Sequence, residues 1–287
     1  MTGSGRARDA EGDERIPPPE VWTSLGSAAT VNVEMTRTTG AEAPPGYDPS
    51  NFPAFAVTVD VVILTMSDAR LHVVLVRRGE APFRGMWAIP GGFKRPTETL
   101  DEAAARELSE ETGVDAASLL TQFGAYGDPG RDPRMNVVTV GYVAVLRDVG
   151  AIVAGTDAAD AALVPVSDVL NEKIDLAFDH LRIVRDAVER VRVELEISGI
   201  ATAFVGATFT LAELRAVYEA VWGVQLDAAN FRRSVVAEDD WVIPTGRRAR
   251  PGSAGGRPAE LFRAGRGWDR GGPIHRLPRH QGKGVSS

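Results

Sequence analysis

Three glutamates, Glu107, Glu110 and Glu111, follow Arg106 within one short stretch of strong helix formers. At 100° per residue their carboxylates fall within an arc of about 100° on one helix face. Carboxylates so close repel one another unless a cation or a guanidinium lies among them. Hard oxygen ligands suit Mg²⁺ or Mn²⁺, which keep waters and share coordination with phosphate oxygens. A metal held there would neutralise charge on two adjacent phosphates and help form a hydroxide for attack at phosphorus. The chemistry implied is cleavage of a pyrophosphate link. A solvated glutamate-rich face would account for any one of these acids. It does not account for Gly92, Glu98, Arg106 and three glutamates standing in register. Nothing in the sequence singles out a general base.

The elements that must position this face can be read around it. Thr99 with Glu102 three residues on is a capping-box pattern, and Gly113 sits where a C′ glycine belongs. Leu100, Ala104 and Leu108 form a stripe that can pack the helix on a sheet, with Ala103 keeping the acidic face uncrowded. Strands are expected at Ala56–Thr65, Leu71–Val76, Leu119–Tyr126 and Val137–Leu146, with short extended pieces at Met86–Ile89 and Leu163–Pro165. Pro90-Gly91-Gly92 reads as a breaker in which the glycines permit a turn. A helix from about Leu176 to Ile197 follows from Leu181, Val184, Val188, Val191 and Leu195 at spacings of three and four.

Past residue 198 the pattern changes. Gly199–Thr208 is uncharged and rich in small residues, as a linker would be. Thr210 with Glu213 is a second capping box, opening a helix to Trp222 that Gly223 stops. Asp227 can cap another helix running to about Ala237. Strands at Trp241–Pro244 and Ala259–Arg263 flank the loop Thr245–Pro258. Helix, turn, helix and hairpin is the order of a winged helix-turn-helix.

Composition sets outer bounds. The chain has 287 residues, 44% hydrophobic and 25% charged, ordinary values for a globular protein. With no cysteine, disulfides and thiolate metal sites are excluded. No signal-peptide pattern and no membrane-length apolar run is present, so the expectation is a cytoplasmic protein without a membrane partner. From Thr210 onward there are 13 Lys and Arg against 8 Asp and Glu, so the net charge of −7 arises entirely from the preceding residues. A basic end on an acidic body suits a nucleic-acid-facing module.

The run Gly92-x5-Glu98-x7-Arg106-Glu107-Leu108-x-Glu110-Glu111-x-Gly113-Val114 resembles the Nudix box at every defined position. The resemblance implies an α/β fold, a Nudix α/β/α sandwich with a mixed sheet. It implies that Glu107, Glu110 and Glu111 hold metal, that Arg106 pairs with carboxylates, and that Glu98 is structural. Gly85-x-Trp87-x-x-Pro90-Gly91-Gly92-Phe93, Arg131-Asp132-Pro133-Arg134 and Leu176-Ala-Phe-Asp-His180 look like the ADP-ribose-handling branch. They look especially like the NrtR family of Nudix-related transcriptional regulators, whose C-terminal module resembles Phe209–Arg263. The domains expected are an arm over 1–50, a Nudix domain over 51–198, a linker over 199–207, a winged helix over 208–265 and a flexible tail over 266–287.

Residue by residue, Trp87 or Phe93 could stack on a base, or pack in the core. Arg77, Arg78, Arg131 or Arg134 could pair with phosphate oxygens beside Gly91 and Gly92. The alternative for Arg131 and Arg134 is an ion pair with a nearby acid. His180, beside an apolar stripe, reads as a packed core histidine. Asn230, Arg232 and Arg233 open the second helix of the winged unit, where base edges are read. Arg247, Arg248, Arg250 and Arg257 suit the DNA backbone. The acids Glu238, Asp239 and Asp240 would have to face away from DNA. The resemblance implies a homodimer that senses ADP-ribose or a related NAD-derived nucleotide, binds double-stranded DNA and represses genes of NAD metabolism. The undamaged box also implies a working ADP-ribose pyrophosphatase-like hydrolase, and the two activities are compatible.

Overall fold

The computed structural model describes residues 45–113, 120–149, 158–249, 258–267 and 271–275. Nearly all of the expected arm, Val114 of the box, and Arg250 and Arg257 lie outside these residues.

Nine strands and five α-helices are formed among the described residues: β1 Ala56–Ser67, β2 Arg70–Arg78, β3 Trp87–Ala88, β4 Gly91–Phe93, α1 Leu100–Thr112, β5 Leu120–Tyr126, β6 Val137–Val145, β7 Ala158–Pro165, α2 Val166–Leu170, α3 His180–Ile197, α4 Leu211–Trp222, α5 Ala228–Ala237, β8 Val242–Arg248 and β9 Glu260–Ala264. Strands β1 to β7 make one sheet, ordered β3-β2-β1-β6-β5, with β4 added on β1 and β7 on β2. The β1–β6 pair is parallel and the others are antiparallel, giving a mixed sheet.

Strand alternation divides β1 between two layers. Val59, Val61 and Ile63 pack with Ala103, Ala104 and Leu108 of α1. Val62 and Leu64 face the opposite layer, with Ile183, Val184, Ala187 and Val191 of α3. The result is the α/β/α sandwich expected from the resemblance, with the leucine–alanine stripe of α1 buried as its spacing implied. Both caps of α1 are formed: the Thr99–Glu102 box closes in both directions, and Gly113 takes the left-handed C-cap. Helices α4 and α5 with the hairpin β8–β9 then make the winged unit, capped by Thr210 and Asp227.

Four local expectations are corrected. Pro90-Gly91-Gly92 does not break the chain, since Gly91–Phe93 pairs with Thr58–Asp60 as a strand. Neither glycine adopts a left-handed conformation. Both are small because neighbours approach closely: a Cβ on Gly91 would collide with Val59 O and Asp60, and one on Gly92 with the Glu107 carboxylate. The third helix begins at His180 rather than Leu176, because Leu176 bridges to Trp87 and Phe178 takes a left-handed φ of 55°. Gly199–Thr208 is not a loose linker, for Ile200–Phe204 forms a buried 3-10 turn. Gly265, Gly267 and Gly272 donate to Trp241 O, Asp240 O and Glu196 O, so the described residues at 265–267 and 271–272 form a strap bonded to the body rather than a free tail.

The 3-10 turn is buried because its apolar side chains belong to a shared core. The main apolar cluster runs without interruption from β1 and α3 into α4, α5 and β9, taking in Leu195, Phe204, Phe209, Leu214, Tyr218, Phe231 and Phe262.

Candidate nucleotide cleft and nucleic-acid face

Helix α1 delivers its acids to one side of a cleft of about 940 Å³. Arg106 organises that side. It forks Glu98 through Nε at 3.2 Å and Nη2 at 2.9 Å, donates to Glu107 Oε1 at 2.6 Å and reaches Phe93 O at 3.2 Å. Its Nη1 is also 3.5 Å from Glu110. The guanidinium holds Glu98 down at about 2. Burial pushes Glu107 up from the ordinary carboxylate range, and the arginine opposes that shift. Glu107 and Glu111 are buried, while Glu110 is half exposed.

The donors present fit a hard divalent cation by type: three carboxylates open to one cleft, one of them costly to ionise without a positive partner. Among the described residues no three acids or imidazoles converge as a metal cage. Arg106 takes the central position beside Glu107 and Glu110.

The opposite wall is basic and aromatic. Arg78, half-buried, lies 4.8 Å from the Phe178 ring, and burial and the nearby Arg134 both push its pKa down. Arg134 sits 5.4 Å from the Phe93 ring and 5.9 Å from Phe178, while Asp132 holds it by bonds of 2.7 and 3.0 Å. Arg131 is almost fully buried and forks Asp179 at 2.6 and 3.0 Å, with Asp60 Oδ2 3.5 Å away. Both arginines thus have the acidic partners weighed as the alternative, yet both line the cleft. Arg77 also lines it and donates to Gly85 O. Trp87 does not line it; the half-buried ring packs against the main cluster, with Arg77 5.8 Å away. His180 is packed as expected: Nδ1 accepts from Ile89 N at 3.1 Å, and burial keeps the imidazole below its ordinary pKa.

The cleft also takes in residues that sequence does not single out, among them Asp60, Asp132 and Phe178. Asp60 lies in a β-branched run that reads as apolar strand, and Asp132 lies between two arginines. Phe178 looked like part of a helix. The one signal available was the charge of Asp60 inside AVTVDVVILT, since a buried acid in a strand requires a partner.

In the winged unit Asn230, Arg232, Arg233, Arg247 and Arg248 are all exposed. Arg233 donates to Asn230, Arg232 pairs with Glu260 at 3.1 Å, and Arg248 donates to Pro258 O. Arg247 and Arg248 lie on β8 rather than in a loop. Glu238, Asp239 and Asp240 form the turn between α5 and β8, and the backbone oxygens of Asp239 and Asp240 face the strap glycines. No described helix is long and apolar enough to cross a membrane.

Residues 54–187 match the NUDIX domain, and residues 201–264 match the NrtR DNA-binding winged helix domain. The ADPR responsive transcriptional repressor NtrR of Acinetobacter baylyi is 31% identical over 76% of this chain and 85% of its own. The crystal structure of Shewanella oneidensis NrtR complexed with a 27mer DNA is 34% identical, with TM-score 0.62 over 72% of this chain and 93% of that one. An ADP-ribose pyrophosphatase of Methanocaldococcus jannaschii is 38% identical over 46% of this chain and 72% of its own. With a nucleotide-type cleft and a winged helix built on one core, and a likeness spanning both, the chain belongs to the NrtR family of Nudix-related transcriptional regulators.

Proposed function

We propose that the protein is a transcriptional regulator in which ADP-ribose, or a related NAD-derived nucleotide, occupies the Nudix cleft and controls DNA binding by the winged helix. The observation that carries this reading is the union of the two sites. A cleft lined by arginines and carboxylates and an exposed arginine face are joined through one apolar core. Arg78, Arg131 and Arg134 would supply positive charge to the two phosphates, and Phe93 or Phe178 would offer a ring to the base. Asn230, Arg232 and Arg233 would enter the major groove, while Arg247 and Arg248 would hold phosphates. The protein would act as a homodimer on genes of NAD metabolism, in keeping with the repressor name of its Acinetobacter relative.

A second activity is favoured by the acids of α1 and by the likeness to a pyrophosphatase. Glu107, Glu110 and Glu111 would hold Mg²⁺ or Mn²⁺, and the ion when bound would activate water and neutralise phosphate charge. Arg106 would set the position of Glu107, and the basic wall would orient the pyrophosphate. The products from ADP-ribose would be AMP and ribose 5-phosphate.

Both readings are tested on pure protein. A mobility shift on the promoter upstream of its own gene should give a specific complex that ADP-ribose weakens, and no specific shift at any salt concentration would sink the regulator. Mass spectrometry after incubation with ADP-ribose and Mg²⁺ should show AMP, and absence of turnover would remove the hydrolase.

A further inference from the structure

Helix α3 is the one described helix longer than two turns whose N-cap is not closed by its own side chain. Thr99, Thr210 and Asp227 cap α1, α4 and α5 with extended backbones, at ψ of 174°, 155° and 124°. Asp179 is by residue type as good a cap. Yet its ψ is 20° and its carboxylate makes no cap hydrogen bond. The carboxylate is instead taken by Arg131, whose fork reaches it at 2.6 and 3.0 Å from a side chain only 5% exposed. The preceding Phe178 is held in the left-handed region, a costly conformation for a bulky residue.

The other end of the helix is fastened to the winged unit. Arg192 Nε donates to Val221 O at 2.9 Å, and Trp222 Nε1 donates back to Arg192 O at 3.1 Å. Tyr218 OH approaches Leu195 O, and Gly272 of the strap donates to Glu196 O at 2.9 Å. An 18-residue helix spans about 27 Å, so α3 runs from the wall of the cleft to the back of the winged helix.

We propose that the Arg131–Asp179 pair is the latch through which occupancy of the cleft is reported to the winged helix. Arg131 can serve either Asp179 or an incoming pyrophosphate, and Asp179 can serve either Arg131 or the first-turn amides of its own helix. Of these, Arg182 N and Ile183 N now donate to Asp179 O and His180 N to Ala177 O, leaving Leu181 N as the natural taker of a side-chain cap. A nucleotide pyrophosphate draws off Arg131. Asp179 then turns to cap α3, its ψ opening towards the extended values of the other caps, and the strain at Phe178 is relieved. The helix shifts with its N-terminus and carries α4 with it. Two mutually exclusive pairings of the same groups make a bistable element, which a coupling of two distant sites requires. Arg131 and Asp179 are positioning residues here.

The latch rests on the reading of the protein as a nucleotide-responsive DNA binder, and the test separates the two. Asp179→Ser in the full chain keeps a good N-cap but cannot hold an arginine. With excess ADP-ribose as ligand and a duplex from the promoter of its own gene as probe, the variant should bind the nucleotide within severalfold of wild type. Its DNA affinity without nucleotide should fall by about tenfold or more, with little further loss when ADP-ribose is added. A purely structural role would lower thermal stability and leave the response to ADP-ribose intact. A variant that binds DNA as wild type does and responds equally to nucleotide overturns the latch and leaves the regulator standing. Wild-type DNA binding indifferent to ADP-ribose overturns both. Hydrogen exchange on the wild type needs no variant to fold: the amide of Leu181, the first-turn position without a backbone acceptor, should gain protection when ADP-ribose binds, and unchanged protection there overturns the latch.

Discussion

At the scale of single residues, Arg106 carries more of the site than any acid does. It ties strand β4 at Phe93 O, Glu98 and the buried Glu107 into one charged group. Arg106→Lys keeps the charge but cannot fork, so it should lower the melting temperature by several degrees, as measured by differential scanning calorimetry, roughly 2–4 °C for each kcal/mol lost. The pH dependence follows from Glu98, whose pKa is depressed to about 2 from 4.5. Its contribution is therefore complete above about pH 4.5 and is lost as the pH falls towards 2. Denaturant melts of Glu98→Gln and wild type should differ at neutral pH and converge over that acid range. Glu107→Gln should lower any AMP release by more than about tenfold while leaving the fold intact, because it removes a carboxylate that burial already disfavours in its charged form.

At the scale of elements, local signals were the most legible. Both capping boxes, the C-cap glycines and the packing stripe of α1 depend on contacts within a few residues, and all formed as the spacing implied. Thr99→Ala and Thr210→Ala should each cost roughly 1 kcal/mol in denaturant melts. Less legible were features set by distant partners. The glycine strand β4 exists because β1 and Glu107 press on it, and nothing between Pro90 and Phe93 shows that by itself. Gly92→Ala should accordingly displace the Glu107 carboxylate and weaken nucleotide binding, at a stability cost of about 1–3 kcal/mol seen in the same melts. The acids of α1 were legible as a set because helix periodicity gathers them. Asp60, Asp132 and Phe178 reach the cleft from three separate stretches of chain, and only the fold assembles those.

At the scale of the whole molecule, the basic wing sets the response to salt. If Arg232, Arg233, Arg247 and Arg248 meet DNA phosphates, affinity should fall steeply with ionic strength. Replacing either of Arg247 and Arg248 by Ala should reduce the slope of log K against log salt by about 1, measured by fluorescence anisotropy. The charge asymmetry of the sequence pointed to this face, whereas the join between the units was not visible. Small uncharged residues at 199–208 look the same whether they cross open solvent or fill a seam, and here they fill one. That seam bears on how such a protein can be inherited. Units joined by a loose tether can be traded between genes as cassettes, each keeping its own stability. Here α3 of the Nudix domain and α4 and α5 of the winged unit shelter one another's apolar faces, so a foreign winged helix would arrive with the wrong underside. Changes in operator preference are then expected to accumulate on the outer face of α5, one side chain at a time, rather than by exchange of the whole unit.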